Sequence, residues 1–292
     1  MTSKKVTKAY IGKILFLHGY TQSSSIFYAK TSALRKRLTK LNYKCVYLNA
    51  PLKLTPAQLP SNDALSKFAS VVHNDEDDDT EYRAWWVKPQ NTNDGISLDD
   101  AIDTIKNYIR NGKLIADPDL NQDNDEEDEQ LKSLPITGIV GFSQGASLAG
   151  ILIHKFKDLF NVPPPKFVIM YSGFKLDTSV KSGNDKYDDY YAKEDKKIND
   201  YNYLHVYGEL DTVVDETRSL SLYNITKSNS VLLKHPGGHF VPNSKIYIDQ
   251  VTNWIQVVTK EYEAKDENKK KTVAVDDDID SLLDMIDNLG KA

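Results

Sequence analysis

The fold is decided by the stretch ITGIVGFSQGASLAGIL, which occupies residues 136–152. Its first part, Ile136 to Phe142, is mostly apolar and predicts a strand of a parallel sheet. After Ser143, apolar residues recur at the spacing of a helix: Leu148, Leu152 and, just beyond the stretch, Phe156. The pattern therefore predicts a strand, a sharp turn at Ser143 and a helix.

The turn itself, Gly141-Phe142-Ser143-Gln144-Gly145, fits the nucleophile elbow GxSxG. In that motif the glycines permit a strained turn that lifts the serine above the edge of the sheet. A hydroxyl is a poor nucleophile near neutral pH, so it requires a base and a site that stabilises an oxyanion. We predict that Ser143 attacks an ester or thioester.

Outward from this stretch, further strand and helix patterns alternate along the chain. The other predicted strands are Ile14–Leu17, Cys45–Leu48, Phe167–Tyr171, Tyr203–Tyr207 and Val231–Lys234. The other predicted helices are Ser23–Leu41, Ser97–Arg110, Asp215–Thr226 and Lys245–Val258. This alternation indicates the α/β class, with a doubly wound, mostly parallel sheet of about six strands and helices on both faces. Together with the elbow, it predicts a single α/β-hydrolase domain.

The domain is predicted to span residues 8–260. Residues 52–96 are irregular and predict a long excursion across the sheet edge, and acidic insertions are expected near 74–81 and 117–132. The remaining 261–292 form a charged tail that we predict to be disordered. Within it, 279–289 has apolar residues at helical spacing; a protein-binding helix is possible there, but a solvated end is the favoured interpretation.

Composition limits the functions and the locations that are compatible with the chain. The net charge is -5, and without clustered Lys and Arg no nucleic-acid binding is expected. Cys45 is the single cysteine, so an intramolecular disulfide is excluded and a reducing compartment is expected. The apolar run from Ile11 is too short for a signal peptide or a membrane span. We therefore expect a cytoplasmic protein, with the nucleus as a second location.

The elbow requires an acid and a base that follow the serine in the order Ser, Asp or Glu, His. Asp211 comes just after a predicted strand, which places its carboxylate at the carboxyl edge of the sheet. Asp215 competes, but its position fits a helix N-cap better. His239 follows the turn Pro236-Gly237-Gly238 after the last strand and is preferred as the base over His235.

The backbone amide of Gln144 is predicted to form one half of the oxyanion hole, since it follows the nucleophile. The second donor should come from the loop after the first core strand; Tyr20 is favoured, and Thr21 stays open. His18 precedes this loop and is expected to brace it. The remaining histidines, His73, His154 and His205, are expected at the surface or in packing.

No metal or cofactor is predicted. The six histidines show no HExxH spacing, and the acidic runs do not resemble a coordination shell. No GxGxxG opens a helix after the first strand, and no Walker A pattern is present.

Five blocks together resemble the fungal family of serine hydrolases (FSH), which includes a human relative linked to ovarian cancer. The blocks are Phe16–Tyr20, Leu34–Leu38, Arg83–Trp86, Gly138–Ala146 and His235–His239. The resemblance extends from about Lys13 to about Gln256. Acyl-protein thioesterases and related carboxylesterases share the serine pentapeptide, but the Arg-Ala-Trp-Trp and His-Pro-Gly-Gly-His blocks favour the fungal family. The acidic insertions and the tail depart from it.

The resemblance implies a small intracellular esterase or thioesterase without a cofactor. It selects Ser143, Asp211 and His239 again as a triad, and it suggests that Trp85 and Trp86 line an acyl pocket; packing beneath the excursion is the alternative for both. The expected substrate is a small ester or thioester with a short- to medium-chain acyl group. A binding module with an unused triad, or a thioesterase acting on an acyl-carrier protein, are alternatives; negative patches suit an acidic carrier poorly.

Overall fold

The computed structural model describes residues 10–59, 81–89, 92, 94–120, 129–191, 201–261 and 264. Residues 74–80 and 121–128 of the predicted acidic insertions, His73 and the predicted helix 279–289 lie outside these residues, so the predictions about them stay open. The chain divides into two units, Met1–Asp249 and Gln250–Ala292. The predicted domain end at residue 260 likewise stays a prediction.

Six strands form one sheet, in which all neighbours are parallel. They are β1 (Gly12–Leu17), β2 (Tyr43–Leu48), β5 (Ile136–Phe142), β6 (Phe167–Tyr171), β7 (Asn202–Gly208) and β8 (Ser230–His235). Their order is β2-β1-β5-β6-β7-β8. The predicted α/β architecture with a six-stranded parallel sheet is confirmed.

A separate two-stranded antiparallel ribbon pairs β3 (Leu52–Lys53) with β4 (Arg83–Ala84). The region from 52 to 96, predicted to be irregular, therefore contains a small element that sequence periodicity did not reveal. Two residues per strand are too few for an alternating pattern to stand out. The ribbon fixes Arg83 and Ala84 next to the end of β2.

Helices occupy most of the connections between the strands of the sheet, and one more helix follows the last strand. They are α1 (Ser24–Lys30), α2 (Ser32–Lys40), α3 (Asp99–Asn111), α4 (Glu129–Ser133), α5 (Gln144–Leu152), α6 (Phe156–Phe160), α7 (Glu216–Thr226) and α8 (245–261). Gly112 ends α3 in the left-handed conformation, as the sequence Asn111-Gly112 predicts. Within the residues described, no helix is long and apolar enough to span a membrane.

The predicted helix Ser23–Leu41 is wrong as a single element, because it breaks at Thr31 into α1 and α2. The Thr31 hydroxyl donates to the carbonyl of Phe27 at 2.7 Å and accepts from the hydroxyl of Tyr47 on β2 at 2.7 Å. A tertiary contact thus fixes the break. The helix after Ser143 is also interrupted: α5 ends at Leu152, a 3-10 turn follows, and α6 begins at Phe156.

The order of the strands decides where a site can form. The chain runs from β1 outward to β2 and then returns to β5 on the other side of β1, so the winding reverses between β1 and β5. In open parallel sheets a crevice forms at the carboxyl ends of the strands at such a reversal. Gly19 and Ser143 follow these two strands and lie at this crevice.

Candidate active site

Ser143 lies at the turn between β5 and α5 in a backbone conformation that is rare for a residue with a side chain. Its φ is 51° and its ψ is -114°, and its amide donates to the carbonyl of Tyr171 at the end of β6 at 2.8 Å. Such strain persists only where the surrounding structure enforces it, and it is concentrated at functional sites. The turn has the geometry of a nucleophile elbow.

Each of the two glycines in the pentapeptide lies where another part of the backbone comes too close to leave room for a side chain. A Cβ on Gly141 would overlap the backbone of Ala146 in the first turn of α5. A Cβ on Gly145 would overlap the carbonyl groups of Leu17 and His18 at the end of β1. The glycines therefore let α5 begin directly against β1 and β5.

Three polar side chains from three loops meet in a hydrogen-bonded series. The Ser143 hydroxyl lies 3.0 Å from Nε2 of His239, and Nδ1 of His239 lies 2.7 Å from Oδ2 of Asp211. All three residues are buried. Because the carboxylate accepts from Nδ1–H, Nε2 carries the lone pair that can take the proton of Ser143.

Asp211 uses its second carboxylate oxygen to hold its own loop. Oδ1 accepts from the amides of Val213 and Val214 at 2.9 and 2.8 Å. Burial opposes ionisation of Asp211, but the hydrogen bond and charge of His239 and the Val214 amide outweigh it, so the pKa lies below its ordinary value. Asp215 instead accepts from the amide of Arg218 at 2.9 Å and caps α7, as its sequence position predicts.

The loop that carries His239 is tied to the end of β7. The amide of Glu209 donates to the carbonyl of His235 at 2.7 Å, and the amide of Leu210 donates to that of Gly237 at 3.0 Å. A Cβ on Gly208 would overlap the carbonyl oxygens of Gly237 and Gly238. The loops that carry Asp211 and His239 therefore pack against each other through backbone contacts.

Gln144 is the first residue of α5, where helix amides lack partners within the helix. The role of this amide as an oxyanion donor stays a prediction. In the loop after β1, the amide of Thr21 donates to the carbonyl of Arg83 at 3.1 Å, and that of Gly19 donates to Oε1 of Gln22 at 3.1 Å. The bond to Arg83 argues against Thr21 as the second donor, and Tyr20 stays the prediction.

His18 is completely buried beneath this loop. The amide of Ala50 donates to its Nε2 at 3.0 Å, so Nδ1 carries the hydrogen and donates to the carbonyl of Gly19 at 2.8 Å. Burial lowers the pKa of His18 to about 4, so the imidazole is neutral near pH 7. These contacts correspond to the bracing role expected from the sequence.

The side chain of Gln144 makes a contact that the sequence analysis did not anticipate. Its Oε1 accepts from the amide of Trp85 and its Nε2 donates to the carbonyl of Trp86, both at 2.8 Å. The Trp85 indole in turn donates to the carbonyl of His18 at 2.8 Å. The block Arg83–Trp86 is thereby attached to both the elbow and the loop after β1.

Trp85 and Trp86 both belong to the hydrophobic core. This corresponds to the packing interpretation of the pair, and a contact with substrate stays a prediction. His154 packs edge-on against Tyr201, and His205 is buried with Nε2 2.9 Å from the hydroxyl of Thr226. Among the residues described, no group of three or more His, Cys, Asp or Glu side chains is placed to hold a metal ion.

Comparison with known proteins identifies the family. The family model described as "Serine hydrolase (FSH1)" matches residues 8–251. The chain belongs to this family. Its relatives include "Family of serine hydrolases 3" of Saccharomyces cerevisiae, 37% identical over 96% of this chain and 98% of the relative. "Esterase OVCA2" of Danio rerio is 30% identical over 79% of this chain and 90% of the relative. The FSH resemblance found in the sequence is confirmed.

The fold of this FSH member is also found in solved structures. Acyl-protein thioesterase 2 of Zea mays superposes with a TM-score of 0.50 at 16% identity, covering 86% of this chain and 95% of that one. At this identity the likeness concerns the fold. The family match and the esterase relatives show that the chain is an enzyme of the serine hydrolase class.

Proposed function

We propose that this FSH member hydrolyses a carboxylic ester or thioester with a short- to medium-chain acyl group through an acyl-enzyme on Ser143. The observation that carries the proposal is the hydrogen-bonded series from Ser143 through His239 to Asp211. It lies at the carboxyl edge of the sheet, next to the amide of Gln144.

Acylation follows from this geometry. Ser143 Oγ attacks the carbonyl carbon while Nε2 of His239 takes the hydroxyl proton. The carbonyl oxygen becomes an oxyanion, which the amides of Gln144 and Tyr20 stabilise. As the intermediate collapses, the bond to the alcohol or thiol breaks and His239 gives its proton to the leaving group.

Deacylation repeats these steps with water as the nucleophile. His239 takes a proton from water, the hydroxide attacks the acyl carbon, and the bond to Ser143 Oγ breaks. The proton then returns from His239 to the serine. Asp211 keeps its negative charge throughout, orients Nδ1–H and stabilises the imidazolium form of His239; the lowered pKa of Asp211 supports this role.

A fluorophosphonate probe, which phosphonylates activated serines, tests the nucleophile. We expect the wild-type protein to be labelled and Ser143→Ala to be unlabelled, with a fall in kcat of roughly 10⁴-fold or more on p-nitrophenyl esters. Ser221→Ala is the matched control, since its hydroxyl lies on the outer side of α7 and donates to the carbonyl of Arg218.

Equal labelling of Ser143→Ala and wild type would overturn the assignment of the nucleophile. Esters from acetate to decanoate then measure the acyl preference, and we expect the highest kcat/KM at short to medium chains. Wild-type protein that neither labels nor cleaves any of these esters would support a binding module with an unused triad.

A further inference from the structure

A cavity of about 190 Å³ lies between α1, the end of β5 and the segment that follows His239. Two of its lining residues are chain neighbours of the reacting groups: Phe142 precedes Ser143, and Phe240 follows His239. The rings of Phe142 and His239 are 4.8 Å apart. The Phe142 ring therefore both lines the cavity and packs against the imidazole of His239, so the cavity adjoins the candidate site through this ring.

Apolar side chains form most of the cavity wall, and a cation lies among them. Among the residues that the structure describes, the lining consists of Phe27, Lys30, Phe142, Phe240, Val241 and Asn243 and includes no carboxylate. Phe240 is 43% exposed, so the cavity opens to solvent. Pockets that enclose drug-sized ligands measure roughly 300–1,000 Å³, so a cavity of about 190 Å³ suits a short group.

Lys30 ends α1 and is partly buried at this cavity. Within the described part of the chain, no ion pair or hydrogen bond engages its ammonium group. Burial lowers the pKa of Lys30, because removal from water disfavours the charged form. A partly desolvated cation without a counterion gains more from an incoming anion than a fully hydrated surface lysine does.

We propose that this cavity binds a short apolar segment of the substrate that ends in an anionic group, which pairs with the ammonium of Lys30. The Asn243 side-chain amide in the same wall can donate to that anion as well. Lys30 is then a specificity-determining residue for the hydrolysis proposed above, on which this inference rests. The anion belongs either to the acyl chain or to the leaving group.

Two pairs of matched esters show whether the anion belongs to the acyl chain or to the leaving group. p-Nitrophenyl hemiglutarate against p-nitrophenyl valerate places the charge on an acyl chain of equal length. 4-Carboxyphenyl acetate against 4-acetylphenyl acetate places it on the leaving group. For each pair the readout is the ratio of kcat/KM for the anionic ester to that for the neutral ester, in which the fraction of active enzyme cancels.

We expect wild type to favour the anionic ester in one pair and Lys30→Gln to lower that ratio by at least about tenfold. Lys30→Arg, which keeps the charge, should retain most of the preference. Lys36→Gln on α2 removes an exposed lysine and is the control that should leave the ratio unchanged. Raising the salt concentration should weaken the preference of the wild type and have little effect on that of Lys30→Gln.

A ratio that is the same in wild type and Lys30→Gln for both pairs, with the neutral esters still cleaved, would overturn the role of Lys30 and leave the proposed hydrolysis intact. Wild-type protein that cleaves neither member of either pair would overturn both.

Discussion

At the scale of single residues, Asp211 and Asp215 show how similar side chains four positions apart serve different purposes. Asp211 contacts His239 with one carboxylate oxygen and its own loop with the other. Asp215 accepts from the amide of Arg218 and begins α7. A carboxamide can cap a helix as a carboxylate does, but it cannot accept from His239 and hold the loop amides with equal strength.

This difference predicts the outcome of a matched pair of substitutions. Asp211→Asn should lower kcat by about 10⁴-fold, because an amide no longer selects the Nδ1–H tautomer or stabilises the imidazolium of His239. Asp215→Asn should retain activity and the melting temperature. Steady-state kinetics on one p-nitrophenyl ester measures both; an equal loss in the two variants would contradict the assignment of Asp211.

At the scale of elements, the site depends on loops that pack backbone against backbone. Because Gly145 has no side chain, the first turn of α5 can pack directly against the end of β1. In the same way, Gly208 allows the His239 loop to pack directly against the end of β7. The Gln144 side chain adds a polar clamp between α5 and the Trp85-Trp86 backbone. These contacts leave little freedom for the position of the loops that carry Asp211 and His239.

Gly208→Ala therefore tests whether this packing positions His239. The added methyl must displace the carbonyl groups of Gly237 and Gly238, which should cost about 1–3 kcal/mol of stability. A shift of about 1 Å in His239 should also lower kcat/KM by about 100-fold.

Gly238→Ala is the control for this substitution, since its Cβ would meet the Leu210 carbonyl at an ordinary 3.5 Å. It should retain most activity. Chemical denaturation and kinetics separate the two effects. Full activity of Gly208→Ala would show that the position of the His239 loop does not depend on its close contact with Gly208.

At the scale of the whole molecule, buried histidines link folding to pH, and His18 and His205 have larger pKa shifts than His235. Burial lowers the pKa of His18 to about 4 and that of His205 to about 3, against 6.5 for an exposed histidine. Below pH 6.5 the unfolded chain therefore binds protons that the folded chain does not. The contribution of these neutral histidines to the free energy of unfolding is fully present above pH 6.5 and is lost as the pH falls towards 4.

We expect the free energy of unfolding to be nearly constant from pH 8 to 7 and to fall below pH 6.5, by on the order of 3 kcal/mol per histidine by pH 4. Urea denaturation between pH 7.5 and 5 measures the slope and stays above the range in which carboxylates titrate. In His205→Gln the glutamine can keep a hydrogen bond to Thr226 but does not titrate. The slope of its unfolding free energy against pH should therefore correspond to the uptake of about one proton fewer on unfolding. An unchanged slope would contradict the prediction.

The fold class, the elbow and the expected order of Ser143, Asp211 and His239 could all be predicted from the sequence. Each of these rests on a local pattern: apolar runs that alternate with helical periodicity, glycines at fixed spacing, and polar residues at the ends of strands. Such signals lie within a few residues of one another, so they can be read without knowing which segments meet.

Features that depend on contacts between distant segments became apparent only in the three-dimensional structure. Tyr47 on β2 helps to break the predicted first helix at Thr31, and the Arg83 carbonyl engages the Thr21 amide that the sequence left open. Lys30 of α1 and Phe240, which follows β8, line the same cavity although they are far apart in the sequence. No local pattern marks such partners, because packing across the sheet brings them together and burial then sets their charge and hydrogen bonding.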